Sequence, residues 1–391
     1  MKPAGTLLYA TYVSPFPPNS GERIRVLNLI SALRALGYRI EAFVGNYNRA
    51  DLAAQCAPDL IFRQIPFSWP RLRQAAGVYF RAHGAFIKEL TALHARTPFS
   101  AAILDYGFIG AQIAPIARLG IPVVLGTHNV ESVLTGLAPK QSLPARAALR
   151  LRQRVESSHE KLFFPRADAV ICVSEQDRDV YRTFIPAERL HIIPNFVDIP
   201  DSAARGSRIN RIVMSGSFDN FQNYEGLRWF IQNVWDDELR RKAELCVVGK
   251  RSDEVVRNFS NAQGVVGLGP KDDLLAEIAV SRCAIVPVLH GGGTRIKCLE
   301  AMAMRTPVVT TSKGCEGIDH GGAFWVADEP GAFKNAILDV LCDDQRAAQR
   351  AAQARIIFDR IYSLPANIAG LRQVLASAAH VQAGRALRRS A

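Results

Sequence analysis

Residues 286–309 read VPVLHGGGTRIKCLEAMAMRTPVV, and this stretch decides the fold class. One apolar run ends at Pro287, three glycines follow, a helical pattern starts near Thr294, and a second apolar run begins at Pro307. Short unbroken apolar runs are typical of strands buried on both faces of a parallel sheet. The stretch therefore predicts a strand, a glycine-rich loop, a helix and a neighbouring parallel strand.

The same pattern recurs along the chain. Counting the two runs above as 284–287 and 307–310, the apolar runs also include 7–12, 40–44, 101–104, 122–125, 169–173, 212–214 and 245–248. Helical stretches lie between them, which predicts a doubly wound α/β architecture.

A connector with two prolines and no helical period, residues 193–202, interrupts this alternation. A chain of 391 residues is long enough for two domains. We therefore expect an N-terminal domain over residues 1–195, a linker over 196–207 and a second domain over 208–364. The remaining residues, 365–391, are expected to form a C-terminal helix and a basic tail.

Composition narrows the class of protein. The net charge is +12, but no basic stripe interleaved with aromatics is present, so a nucleic-acid partner is not expected. The seven cysteines are scattered and contain no Cys-x-x-Cys pair, so we expect no metal site and a reducing cytoplasm. No apolar stretch is long enough to span a bilayer, and we expect no signal peptide at the N-terminus.

The glycine-rich loop predicts a phosphate site. Gly291, Gly292 and Gly293 let the backbone approach a ligand closely, and Thr294 is the expected helix cap. Free N–H groups and the positive dipole end of the following helix favour an anion.

Charged side chains extend this prediction to a nucleotide sugar. Arg295 and Lys297 add positive charge for a diphosphate, and Glu300 is placed to accept hydrogen bonds from ribose hydroxyls. The alternative is a glycine turn that only packs a helix on a strand.

The segment resembles the donor-binding core of family 4 glycosyltransferases, in the branch that reads GGGTRIK, then LEAMA, then PVV. Further matches follow in chain order: Pro17-Pro18 with Gly21 and Arg25, THNVE at 127–131, ICVSE at 171–175, IPNFVD at 193–198, and GSF at 216–218 with Asn223.

The resemblance implies a GT-B fold, with two Rossmann-like doubly wound domains facing across a cleft and a C-terminal helix returning to the N-domain. It implies a retaining hexosyltransferase that uses a nucleotide diphosphate sugar as co-substrate, with no cofactor and no metal. The expected acceptor is a glycan, a lipid-linked sugar or a small molecule, and the expected process is surface polysaccharide or glycoconjugate synthesis.

The resemblance also implies roles for individual residues. The catalytic candidates are His128, which faces the transferred sugar, and Arg295 and Lys297, which stabilise the leaving diphosphate. The donor-binding candidates are Gly216, Ser217, Lys250, Gly291, Gly292, Gly293, Thr294, Glu300 and Glu316. The candidates near the sugar and acceptor are Gly21, Arg25 and Asn129.

Two positions and one segment depart from the family pattern. Gly292 replaces the first acid of the Glu-x7-Glu pair found in many relatives, and Arg305 stands where glycine is common. Residues 217–226 contain no base, so Arg295, Lys297 and Lys250 must carry the phosphate charge.

Several alternatives stay open. His128 could be a strand-end histidine satisfied by the backbone, and Glu316 could only shape a turn. A nucleotide-sugar epimerase of GT-B architecture would need acid/base carboxylates and histidines that the sequence does not identify. A non-catalytic nucleotide-sugar-binding protein would bind the donor without turnover.

Two arginine-rich segments, 65–73 and 145–155, suggest a peripheral position on the anionic inner face of the plasma membrane. The alternative for residues 145–163 is an ordinary helix packed through Ala147, Leu149, Leu151 and Val155, with its arginines in water.

Overall fold

The computed structural model describes residues 4–18, 21–45, 54–65, 82–136, 143–201, 207–259, 263–291 and 295–390. These residues form two compact units, each with its own parallel sheet. The first unit comprises residues 1–18, 22–194 and 367–391, and the second comprises 19–21 and 195–366.

The first unit is a seven-stranded parallel sheet in the order β3-β2-β1-β4-β5-β6-β7. Its strands are β1 Gly5–Thr11, β2 Tyr38–Val44, β3 Leu60–Gln64, β4 Phe99–Asp105, β5 Val123–Gly126, β6 Ala169–Cys172 and β7 Leu190–Ile192. Its helices are α1 Gly21–Ala35, α2 Gly84–Arg96, α3 Ile113–Arg118, α4 Glu131–Gly136, α5 Leu143–Phe163 and α6 Glu175–Tyr181.

The second unit is a six-stranded parallel sheet in the order β10-β9-β8-β11-β12-β13. Its strands are β8 Ile209–Ser215, β9 Glu244–Val248, β10 Val265–Gly267, β11 Ser281–Val286, β12 Val308–Thr310 and β13 Trp325–Val326. Its helices are α7 Phe221–Asn233, α8 Asp237–Lys242, α9 Ser252–Arg257, α10 Leu274–Ala279, α11 Ile296–Ala303, α12 Pro330–Cys342 and α13 Asp344–Ile357.

The last helix, α14 Leu364–Ser390, returns to the first unit. The amide of Gln382 donates to the carbonyl of Ala117, and the guanidinium of Arg385 lies 2.7 Å from the buried carboxylate of Asp168. The predicted fold class, two Rossmann-like doubly wound domains with a returning C-terminal helix, is therefore confirmed.

Both sheets change winding direction at one place, between β1 and β4 in the first unit and between β8 and β11 in the second. Open parallel sheets bind ligands at the carboxyl ends of the strands beside such a switch point. The central strands are buried on both faces, as their unbroken apolar runs predicted. The edge that matters for function is therefore formed by the loops after these four strands.

No described helix is both long enough and apolar enough to cross a membrane. The seven cysteines, all of which lie in the described residues, form no disulfide. Within the described residues, no group of three histidines, cysteines or acids is arranged to hold a metal ion.

Candidate donor and acceptor sites

In the second unit, the loops after β8 and β11 bring the predicted donor residues together. The Nζ atom of Lys297 donates to Oδ1 of Asn223 at 2.8 Å, and Nδ2 of Asn223 donates to the carbonyl of Ser217 at 2.8 Å. Gly216 has a φ of 153°, and a Cβ there would lie 2.7 Å from Nδ2 of Asn223 and 3.0 Å from Nζ of Lys297. Glycine at 216 is therefore required for this close approach.

Arg295 lies beside the same loops. Its guanidinium donates to Oε1 of Gln222 at 3.2 Å, and burial lowers its pKa. Gly291 has a φ of 97°, and a Cβ there would overlap the side-chain amide of Gln222. Gln222, at the start of α7, thus contacts both Arg295 and Gly291, the first glycine of the predicted glycine-rich loop.

Burial shifts two titratable groups on α11 toward neutral pH. It lowers the pKa of Lys297 to about 8, assisted by the charge of Arg295. It raises the pKa of Glu300 to about 7, an effect that the positive charge of Lys297 opposes. In the described part of the chain, no hydrogen bond or ion pair to the Glu300 carboxylate is found. Both groups therefore change charge close to neutral pH.

The prediction for the start of this helix was wrong. Helix α11 begins at Ile296, and Arg295 precedes it with an extended backbone and no side-chain cap. The predicted helix started near Thr294, with that residue as its cap. Gly292, Gly293 and Thr294 lie outside the described residues, so their predicted contacts with phosphate stay predictions.

Lys250 and Glu316 are engaged with neighbouring side chains. Nζ of Lys250 lies 2.5 Å from Oδ2 of Asp219, and Nζ of Lys313 lies 2.7 Å from Oε1 of Glu316. Asp219 also pairs with Arg251 at 3.1 Å. Lys250 thus shares the single carboxylate of Asp219 with Arg251.

The first unit contains a second polar cluster, at the ends of β1, β4 and β5. His128 follows β5 and is only 7% exposed, and its Nε2 lies 3.1 Å from Oδ2 of Asp105. The hydroxyl of Tyr9 donates to the same oxygen at 2.6 Å. The alternative interpretation, in which the backbone satisfies His128, is therefore wrong for the Nε2 atom, because the partner of that atom is the carboxylate of Asp105.

Arg25 on α1 completes this cluster and is 2% exposed. Burial lowers its pKa, whereas the nearby charge of Asp105 raises it. Burial raises the pKa of Asp105, but the combined effect of His128, Arg25 and Tyr9 is larger and leaves it below its usual range. Arg25 and His128, which were predicted separately, are therefore brought to one ionised carboxylate.

Asp105 and Tyr9 are the functional candidates that the sequence reading missed. Asp105 is an acid directly after a buried apolar run, which is a usable signal because such a position lies at the ligand-binding edge of the sheet.

The two other candidates near the sugar and acceptor also lie in the described residues. Gly21 begins α1, and the backbone carbonyl of Asn129 accepts a hydrogen bond from Tyr181.

The arginine-rich helix α5 differs from its packing prediction. Of the four residues that pack inward in the alternative interpretation, Ala147 and Leu151 are exposed, Leu151 to 63%, whereas Leu149 and Val155 are half-buried. The inward face is formed instead by residues of the C-terminal half, including Glu156, His159 and Phe163. In the other arginine-rich segment, residues 66–73 lie outside the described residues.

Comparison with known proteins identifies both halves of the chain. Residues 20–200 match the family described as Glycosyltransferase Family 4, and residues 209–343 match the one described as Glycosyl transferases group 1. A protein described as an uncharacterized 44.6 kDa protein in the cps region of Klebsiella pneumoniae is 26% identical over 129 residues. That match covers 30% of this chain and 33% of that protein, about a third of the relative's length.

Solved structures share the fold. Sucrose-phosphate synthase from Thermosynechococcus elongatus has a TM-score of 0.73 at 19% identity, covering 99% of this chain and 100% of that one. Anabaena HepE, solved with UDP and glucose, has a TM-score of 0.64 at 16% identity over 95% of this chain and 100% of that one. The chain therefore carries a match to the glycosyltransferase family 4 domain followed by a match to the group 1 glycosyl transferase domain, and it folds as the two Rossmann-like units of the GT-B type.

Proposed function

We propose that the chain is a retaining glycosyltransferase that moves a hexose from a nucleotide diphosphate sugar to an acceptor. The observation that carries this proposal is the cluster at the start of α11 and the loop after β8, where Lys297 stands beside the backbone of Gly216 and Arg295 contacts Gln222 of α7. One cation next to the backbone of Gly216, with a second cation near the first, suits a diphosphate at the switch point of the second sheet.

The same cluster accounts for catalysis. When the glycosidic bond to phosphate breaks, negative charge develops on the leaving diphosphate, and Lys297 and Arg295 stabilise that charge in a partly desolvated site. We assign the chain to the family branch with the GGGTRIK loop, in which N–H groups of 292–294 add to this stabilisation. We identify no carboxylate in the described residues as a nucleophile that would form a covalent intermediate. We therefore favour front-face substitution, with the new bond on the face that the phosphate leaves.

Glu300 is proposed to bind the donor ribose. Its carboxylate lacks a described partner and follows Lys297 by one helical turn, so it can accept hydrogen bonds from hydroxyls. No metal and no further cofactor are required in this proposal, because the two cations supply the charge that a metal would otherwise supply.

The donor and pathway are proposed from the relatives. Anabaena HepE has been solved with UDP-glucose, which favours a UDP-sugar donor here. One relative is described by its place in a cps region, and the solved relative WaaG is described as involved in lipopolysaccharide biosynthesis. We therefore propose a glycan or lipid-linked acceptor in surface polysaccharide synthesis.

We propose a cytoplasmic location with peripheral attachment to the inner face of the plasma membrane. Helix α5 exposes Arg146, Arg150 and Arg154 at intervals of four residues, next to the exposed Leu151. Such a stripe places several cations and one apolar side chain on one face of the helix, which suits anionic headgroups.

The deciding experiment screens nucleotide sugars by thermal shift and then tests the stabilising donor for transfer to acceptors. Transfer with the anomeric configuration kept, measured by NMR in the presence of EDTA, is the expected result. Release of a free, epimerised sugar without transfer would indicate an epimerase. Donor binding with no turnover on any acceptor would indicate a binding protein.

A further inference from the structure

A pocket in the first unit has three glutamates among its eight lining residues. Gly107, Phe108 and Asn129 contribute from the ends of β4 and β5, Glu131 from α4, and Glu156, His159, Glu160 and Phe164 from α5 and the turn after it. The pocket has a volume of about 300 Å3, including its solvent-filled mouth. We call these eight residues the acidic pocket, and it lies at the ligand-binding edge of the first sheet.

Glu156 carries a buried oxygen that needs a hydrogen-bond donor. The residue is 4% exposed, and its Oε1 accepts from Nε of Arg152 at 2.8 Å. Its Oε2 is buried and has no partner among the described residues. A buried acceptor left unsatisfied is costly, so a donor from outside the described chain is expected to occupy the pocket.

Glu160 is already satisfied and excludes an anion. Its two oxygens accept from the backbone N–H of Ser132 at 3.2 Å and from the Ser132 hydroxyl at 2.6 Å. The N–H at the start of α4 is therefore taken. An anionic occupant would also face three carboxyl groups, and so it is disfavoured.

Glu131 shows that the pocket has an excess of negative charge. Burial raises its pKa to about 7, and the charges of Glu156, Glu160 and Glu22 contribute, against a hydrogen bond from Asn129. Among described ion pairs, only the one with Arg152 offsets charge on these three pocket carboxyls. A positively charged occupant would relieve this repulsion.

We propose that the acidic pocket binds a protonated primary amine carried by the acceptor, as on an amino sugar with a free amine. An ammonium group provides three donors and one positive charge, which matches the orphan oxygen of Glu156 and the carboxyl of Glu131. Phe108 and Phe164 supply the aromatic part of the pocket lining. Within the described residues no three acids or histidines are arranged for a metal ion, so an amine suits this pocket better.

This inference rests on the proposed function, because it names the acceptor class of that reaction. The test is titration calorimetry at pH 7 with glucosamine, N-acetylglucosamine and glucose as probes, and with ethanolamine to represent a free amine. We expect glucosamine to bind about tenfold or more tightly than its N-acetyl form or glucose, the effect of one charge-assisted hydrogen bond. Tight binding of ethanolamine as well would assign the pocket to amines in general and overturn the amino-sugar acceptor.

Two isosteric variants localise the effect. Glu156→Gln and Glu131→Gln are each expected to remove most of the preference for glucosamine, whereas Glu188→Gln, at an exposed acid of the same unit, should keep it. Thermal melts check folding, and Glu131→Gln carries the test alone if Glu156→Gln unfolds, because Glu131 is partly exposed. Equal binding of the three sugars, or a preference that persists in both variants, would mean that water alone satisfies Glu156.

A parallel titration with UDP separates this inference from the proposed function. UDP binding without an amine preference would sink the inference and leave the proposed function standing. An amine preference without any nucleotide binding would overturn the proposed function and leave the amine site standing, because the pocket would then serve a protein that is not a transferase.

Discussion

The Nε2 atom of His128 lies 3.1 Å from Oδ2 of Asp105, and the same carboxylate oxygen accepts a hydrogen bond from Tyr9. The pKa of Asp105 lies below its usual range, so this carboxylate is ionised and can only accept. Nε2 of His128 therefore carries the hydrogen, and Nδ1 is the ring nitrogen left for another partner. Asp105 thus sets both the tautomer and the ring orientation of His128.

Replacing His128 by alanine is expected to lower turnover more than nucleotide affinity. The nucleotide is proposed to bind in the second unit, whereas His128 is proposed to address the transferred sugar. A loss of about ten- to a hundredfold in kcat corresponds to one hydrogen bond to a charged group. Steady-state kinetics and UDP titration measure the two effects, with the exposed His380→Ala as the matched control. Loss of UDP binding in proportion to turnover would place His128 in the donor pocket or in folding instead.

Alanine at Lys297 or at Glu300 is expected to weaken donor use by about one to two decades in kcat/KM, with the fold intact. Each change removes a charge-assisted contact to the proposed diphosphate or ribose. Circular dichroism melts and kinetics with the donor test this. Lys242→Ala is the control, because that lysine is exposed and lies at the end of α8, which precedes β9 and carries no donor-binding candidate. Near-normal kinetics in both folded variants would remove the site assignment.

Donor affinity is expected to peak between about pH 7 and pH 8. Glu300, with a pKa raised to about 7, must be ionised to accept from ribose, so affinity rises as pH increases through that value. Lys297, with a pKa lowered to about 8, loses its charge above that value, so affinity for the diphosphate then falls. UDP titrations from pH 5.5 to 9.5 measure the curve. Glu300→Gln should flatten the acidic limb and Lys297→Arg the alkaline limb, and unchanged limbs would contradict the prediction.

Arg305 has a φ of 55°, in the left-handed region that follows the end of α11. Family members commonly have glycine there, and glycine adopts this conformation without a Cβ penalty. Its ion pair with Asp201 is exposed and contributes little. Arg305→Gly is therefore expected to raise the free energy of unfolding by about 0.5–1 kcal/mol, measured by urea denaturation.

The control for this prediction is Arg305→Ala, which removes the ion pair but keeps the strained backbone. It should not stabilise the protein. Equal stabilisation by glycine and alanine would show that the arginine side chain, rather than the backbone, is responsible.

Binding to vesicles tests the exposed stripe on α5. We expect the protein to float with anionic but not neutral liposomes at low salt, and to be released at high salt. Arg150→Ala combined with Arg154→Ala should reduce flotation, because each basic residue near the surface adds about 1 kcal/mol. Arg240→Ala with Arg241→Ala, on α8 of the second unit, is the matched control. Absence of binding to anionic vesicles at low salt would favour an acceptor in solution.

Nine strands could be predicted from unbroken apolar runs, and all nine are present. The four strands that the pattern missed, β3, β7, β10 and β13, are the outer strands of the two sheets. An outer strand has a neighbour on one side only and is partly exposed, so its sequence need not be continuously apolar. The pattern therefore identifies the buried centre of each sheet and leaves its edges undetermined.

For the candidate site, the sequence by itself determined the local part, namely a strand, a glycine-rich loop and a helix carrying Arg295, Lys297 and Glu300. These residues are close in the chain, so spacing and residue type are sufficient to group them. Only the tertiary structure decided that Asn223 holds Lys297, that Asp105 contacts His128 and feels the charge of Arg25, and that Glu131 and Glu156 share a pocket. Those partners are distant in the chain, and the order of strands in each parallel sheet, which brings them to one edge, is not encoded in any local pattern.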